Sequence, residues 1–148
     1  MEACRDLGLL VLVHGGMDVS FPHCHHCTPE RIARILPRLE GLTLVLAHLG
    51  GYNYLDDVER LLVGKDLYLD TSFTLGRFGR EQILRIIRNH RPDRLLFGTD
   101  SPWDDQQSAV SAVKDLPIDA SLKDKILYET RRLAEAGMTA FQNATLTM

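Results

Sequence analysis

The chain has 148 residues, 45% of them apolar and 25% charged, and a formal net charge of −3. This suffices for one domain with a real core. The negative balance does not favour nucleic acid as a partner, and no apolar run nears the roughly 20 residues that span a bilayer. The opening MEACRD lacks the basic and then apolar start of a secretory signal. Three cysteines, Cys4, Cys24 and Cys27, are an odd, low number that argues against a disulfide framework. A cytoplasmic location is therefore expected, with a small molecule as partner rather than a membrane or nucleic acid.

MEACRDLG reads as the end of a helix stopped by Gly8. Leu9 to Val13 follows as a near-continuous apolar strand, the kind buried on both faces of a parallel sheet. Residues 15–27 are a loop. Thr28-Pro29 opens a helix, with Thr as the cap and Pro at the first position. Ile32, Ile35, Leu36 and Leu39 form its apolar face, and Gly41 breaks it. Thr43 to Ala47 is the second strand. Leu55 to Val63 is a helix whose acidic start suits the positive end of the helix dipole.

Leu67 to Asp70 is the third strand. GREQILRIIRNH is a helix with Ile83, Ile86 and Ile87 facing in, and Arg94 to Phe97 is the fourth strand. Residues 104–115 and 121–136 read as helices, and 137–148 as a loosely held tail. Strand and helix alternate in units of about 30 residues, which implies parallel strands with right-handed crossovers. The fold class is α/β, with about four strands, and the whole chain forms a single partial domain. Four such units are half of an eight-fold barrel, whose full length is typically about 250 residues.

Ionisable residues stand at the ends of these strands. LVLVHGG ends on His14, LVLAHLGG on His48, LYLDTSF contains Asp70 and Thr71, and LLFGTDSPW carries Asp100. In parallel α/β folds the active site gathers at these carboxyl ends. His and Asp are residue types that bind a zinc-like ion and activate its water. The glycines after each His permit tight turns and close backbone approach.

In these four motifs, taken in order, the sequence resembles amidohydrolase family 2, a group of metal-dependent hydrolases, over residues 1 to about 130. The resemblance is to the last four strands of that family's distorted (β/α)8 barrel. It implies that His14 is a metal ligand and that His48 lies close to metal and substrate. It also implies that Asp100 binds metal and handles the proton of the attacking water, so that Asp100 and His48 are the catalytic pair. The implied cofactor is a divalent metal, with zinc the first expectation. The implied reaction is hydrolysis of a C–N, C–O or related bond by metal-activated water, or, in a decarboxylase branch, nonoxidative loss of CO2 from an organic acid. The family also has a His-x-His pair on its first strand, and no strand here ends in one. The chain is thus expected to bring about half of a metal site, and to self-associate or to depend on an N-terminal half. A noncatalytic half-barrel fragment is the alternative outcome.

The loop segment HCHHC, residues 23–27, reads chiefly as a loop over the barrel mouth leading into the helix cap. A substrate contact by His25 or His26 and a zinc staple on Cys24 and Cys27 are further readings. Trp103, at the rim after Pro102, suits packing or an organic ring. Asp70 is read as a cap or hydrogen-bonding residue at the mouth, Arg31, Arg34 and Arg38 as a solvated helix face. Ser101 lacks the context of a serine nucleophile.

Overall fold

The computed structural model describes residues 1–23 and 25–130. Among these, four parallel strands form one sheet in the order β1-β2-β3-β4: β1 Leu10–Val13, β2 Thr43–Leu46, β3 Tyr68–Asp70 and β4 Leu95–Leu96. Each strand pairs with the next in sequence, which is the strand order of a rolled parallel barrel. The helices are α1 Glu2–Asp6, α2 Pro29–Ile35, α3 Leu55–Leu61, α4 Arg80–Asn89 and α5 Gln106–Lys114, with α6 covering residues 120–130. The expected remainder of that last helix and the expected loose tail lie outside the described residues. No helix among the described residues is long and apolar enough to cross a membrane.

Local chemistry explains the boundaries. Thr28 Oγ1 accepts from the Arg31 amide at 3.4 Å and Pro29 sits at the first helical position, which satisfies one orphan donor and loses none. α5 starts two residues later than expected because the Asp105 carboxylate caps the Ser108 amide at 2.7 Å. β4 is shorter than the expected Arg94 to Phe97. Arg94 belongs to a 3-10 turn, and the Phe97 amide leaves the sheet to bond Ile126 O at 3.1 Å and Thr130 Oγ1 at 2.5 Å.

Alternation along the strands sends Leu44, Leu46, Leu69 and Leu95 to the helix side, where Val58, Leu67, Ile86, Ile87 and Ile126 complete a fully apolar core. On the other face Val45, Tyr68 and Leu96 form a small second cluster with Leu10. β1 departs from the expected burial on both faces: Leu12 is 53% exposed. The helices cover the outer face of the sheet, and none of the described residues covers this part of the inner one. Arg31 and Arg34 on α2, and Arg38 in the 3-10 turn that follows it, are exposed, as their charge predicts.

His90 ends α4 and is 2% exposed. Its Nε2 lies 3.1 Å from Leu67 O and its Nδ1 accepts from the Gly64 amide at 3.1 Å. A carbonyl only accepts, so the ring is the neutral Nε2–H tautomer. It ties the end of α4 to the turn before β3. Burial holds its pKa below the usual histidine value.

Two predictions follow from these contacts. Leu69→Ala, on the helix face, is expected to cost about 2–5 kcal/mol of unfolding free energy, whereas Leu12→Ala costs less than about 1 kcal/mol; denaturant titration of both variants decides it, and equal losses mean that the inner face is covered. Because the folded pKa of His90 lies below its unfolded value of about 6.5, the stabilisation it gives is whole above that value and is lost as the pH falls beneath it. His90→Gln should therefore show a shallower decline in melting temperature between about pH 7 and 5 than the wild type.

Candidate active site

The register of the sheet sets the site. Val13 of β1 pairs with Leu46 of β2, so His14, one residue past that pair, and His48, two past it, leave the same end of the sheet. After His14 the backbone of Gly15 and Gly16 passes directly against that of Gly51 and Tyr52. The Tyr52 amide donates to Gly15 O at 2.8 Å and the Met17 amide to Tyr52 O at 3.0 Å. The Gly16 amide donates to Cys27 O at 2.9 Å. Gly16 has φ +91°, and a Cβ there would stand 2.3 Å from Tyr52 N. Only glycine permits both the dihedral and the approach.

His48 is buried and begins a left-handed stretch: φ is 60° at His48, 51° at Leu49 and 83° at Gly50. Such dihedrals cost a non-glycine residue about 1–2 kcal/mol each and need support from outside. The support comes from β3. The His48 amide donates to Asp70 Oδ1 at 3.0 Å, and its ring Nδ1 lies 3.1 Å from both Ser72 O and Ser72 Oγ. The same Asp70 oxygen accepts from the Ser72 amide at 2.9 Å and from the Ser72 hydroxyl at 2.5 Å. Burial pushes the Asp70 carboxyl pKa up, against the hydrogen bonds that lower it. The mouth hydrogen-bonding role expected for Asp70 is thus what the structure holds.

The ring of His48 presents Nε2 to His14 Nδ1 at 3.1 Å, the rings edge to face with centroids 4.7 Å apart. Both line a cavity of about 370 Å³ together with Asp100 and Trp103. Asp100 sits four residues past β4 in an exposed turn at φ 62°, its carbonyl accepting from the Trp103 amide at 2.9 Å. Trp103 is 75% exposed, so it is a rim residue and not a packing one. His26 lines a neighbouring cavity of about 320 Å³ that shares His14 and Asp18. His25 is not brought to the His14–His48 cavity: its Nδ1 bonds Tyr54 Oη at 2.8 Å. Cys24 lies outside the described residues, and no group of three His, Cys, Asp or Glu side chains placed to hold a metal ion occurs among them.

Sequence reasoning alone misses Tyr52 and Phe73, which also wall the cavity. Their rings are 5.8 Å apart. Phe73, at φ 51°, carries the Arg77 guanidinium 3.7 Å above its ring, and Arg77 pairs with Asp104 at 2.9 Å. This ties the loop after β3 to the loop that bears Trp103. The only signal for either aromatic is its place at a strand-end motif: Tyr52 directly follows LVLAHLGG and Phe73 is the last residue of LYLDTSF. Ser72 stands within LYLDTSF, but nothing in the sequence marks it as a partner of His48.

Parallel strands in consecutive order, outer helices, and a cleft with histidines and a carboxylate at the strand ends define the class: half of a (β/α)8 barrel with its site at the carboxyl face. The family model of amidohydrolase family 2, described as amidohydrolase, matches residues 1–133, and the chain belongs to that family. Among solved structures it is similar to an uncharacterized TIM-barrel protein of Bordetella bronchiseptica, at 24% identity and TM-score 0.69 over 92% of this chain and 48% of the other. It is similar to a dihydroxybenzoic acid decarboxylase of Polaromonas with bound manganese and an inhibitor, at 16% identity and TM-score 0.60 over 90% of this chain and 52% of the other. A zinc-bound amidohydrolase of Burkholderia multivorans matches at 16% identity and TM-score 0.56, over 73% of this chain and 49% of the other. The chain thus spans about half the length of the structures it resembles, and at these identities the likeness carries the fold. No curated protein matches the chain.

Gly16→Ala is expected to destabilise the chain by more than about 2 kcal/mol, the left-handed cost of about 1–2 kcal/mol plus the overlap with Tyr52. Gly76→Ala, at φ +84° but with open space around its Cβ, should show the dihedral cost alone. Equal midpoints in chemical denaturation of the two variants would contradict the close packing of the two site loops.

Proposed function

We propose that this chain supplies the C-terminal half of the active site of a metal-dependent hydrolase of the amidohydrolase type, with a small organic substrate. The observation that carries this is the convergence of His14, His48 and Asp100 on one cavity at the carboxyl ends of parallel strands. The donor set fits a divalent ion in part. Imidazole and carboxylate are the ligands that zinc and its neighbours take. In this proposal His14 and Asp100 are the metal ligands from this chain, and zinc is favoured because imidazole is its common partner. The remaining ligands come from a complementary half-barrel, which would also cover the inner face around Leu12.

When bound, such an ion polarises the scissile group and makes water acidic enough to ionise near neutral pH. Asp100 takes up the released proton on its carboxylate, which stands in a turn open to the cavity. His48 presents Nε2 to the reacting group and orients it or stabilises the charge that develops. Tyr52 and Phe73 wall the cavity, and Trp103, with His26 in the adjoining pocket, takes the outer part of the substrate. His25 is left out of this assignment because Tyr54 holds it elsewhere. The three aromatic side chains favour a planar, unsaturated substrate, which makes nonoxidative decarboxylation of an organic acid the second reading. A cytoplasmic location belongs to this reading and is supported by the free thiols of Cys4 and Cys27, which suit a reducing compartment.

Metal content measured by elemental analysis on dialysed, tag-free protein tests the proposal. His14→Ala and Asp100→Ala are each expected to weaken binding of added zinc at least about tenfold, the lower end of what loss of even an outer-shell partner costs. Affinity unchanged in both variants refutes the assignment.

A further inference from the structure

His48 has two ring nitrogens, and the protein decides which one keeps the proton. Nδ1 lies 3.1 Å from the carbonyl oxygen of Ser72. A carbonyl has no proton to give, so Nδ1 must be the donor. The nearby Ser72 hydroxyl agrees with this. Its own proton is directed to Asp70 Oδ1 at 2.5 Å, which leaves its lone pairs to accept from Nδ1 at 3.1 Å. Neutral imidazole in water prefers the opposite form, with the proton on Nε2. The Nδ1–H form at His48 is therefore imposed.

The imposing group reaches across three strands. Asp70 ends β3 and is 9% exposed. One oxygen, Oδ1, receives the Ser72 hydroxyl, the Ser72 amide and the His48 amide. This fixes the Ser72 backbone and the His48 backbone relative to each other, and with them the line from Ser72 O to Nδ1. Gly98, beyond β4, completes the arrangement by leaving room. A Cβ there would stand 3.0 Å from Asp70 Cγ, 3.0 Å from Ser72 Cβ and 3.2 Å from Asp70 Oδ2. The Gly98 amide and carbonyl are meanwhile tied to Thr71 Oγ1 at 3.3 and 3.4 Å, so the strand end has little freedom to move away.

We propose that Asp70, Ser72 and Gly98 are positioning residues that hold His48 as its Nδ1–H tautomer, so that a bare Nε2 faces the cavity. In the metal-free chain His14 Nδ1–H then donates to His48 Nε2 across the 3.1 Å gap. The tautomer follows from the geometry alone; its purpose rests on His48 acting in the cavity as proposed above. A bare Nε2 accepts a hydrogen bond, takes a proton or ligates a cation, whereas an Nε2–H would only donate.

Long-range 1H–15N correlation spectra of 15N-histidine-labelled, metal-free protein test this, recorded at about pH 8.5, two units above the usual histidine pKa. The two tautomers exchange the shifts of their protonated and bare nitrogens. The wild type is expected to show His48 with the proton on Nδ1, in at least about tenfold excess. Ser72→Ala and Gly98→Ala, each still folded by its dispersed amide spectrum, should lower that excess several-fold, and Ser72→Thr, which keeps the hydroxyl, should restore it. Wild-type His48 with its proton on Nε2 overturns the proposal, as does an unchanged tautomer in folded Ser72→Ala and Gly98→Ala. A structural role alone would move the melting temperature and leave the tautomer in place. Metal content and tautomer are separate readouts, so the metal assignment can fail while the tautomer holds, and the reverse.

Discussion

A single carboxylate oxygen buried at the end of β3 holds the site in shape. Asp70 Oδ1 receives two backbone amides and a hydroxyl, from His48 and Ser72. Burying a carboxylate is expensive unless its lone pairs are filled, and three donors to one oxygen meet that need. In return the left-handed turn at His48 and Leu49 is sustained. That turn takes the chain leaving β2 abruptly off the strand direction and keeps the His48 ring inside. Replace the carboxylate by an apolar group and the buried Ser72 amide loses its acceptor, at about 1–3 kcal/mol, while the His48 amide keeps only its longer bond to Ser72 Oγ at 3.3 Å. The polar network and the strained backbone are one feature seen twice.

The sheet itself is lopsided. Its outer face is sealed by leucines, isoleucines and valines from strands and helices that exclude solvent almost completely. Its inner face holds a smaller cluster around Val45, Tyr68 and Leu96, while Leu12 meets water. The outer packing is what makes the four strand-helix units cohere. The site therefore sits on a scaffold that is rigid on the helix side and open toward the barrel axis. This agrees with a chain that spans about half of the barrels it resembles.

The strand-helix alternation is legible in the sequence because burial on the outer face leaves a clear apolar signature, and Thr28-Pro29 is legible because capping chemistry is local. The placement of His14, His48 and Asp100 at strand ends is legible for the same reason: an ionisable residue closing an apolar run stands out. What escapes is set by contacts distant in sequence. Phe97 leaves β4 because Ile126 and Thr130, about thirty residues on, compete for its amide, and no local pattern announces that. His25 looks equal to His26 in HCHHC, yet Tyr54 holds His25 while His26 lines the cavity next to that of His14 and His48. The exposed side of β1 is invisible in a run of apolar residues, since hydrophobicity does not say whether a covering layer is present. Asp70 was readable as a polar residue at the mouth but not as the partner of a histidine on another strand.

The contact between the HGG and HLGG loops has a consequence for divergence. Where two backbones touch with no side chains between them, neither loop can take up a larger residue or shift alone. A change in one must be matched in the other, and single substitutions there are filtered out on stability before any effect on chemistry counts. The outer rim is under no such restraint. Val19, Phe21 and Trp103 are exposed side chains on loops and are free to change one at a time. The mouth of the cavity can therefore drift at the rim while the paired histidines stay where they are.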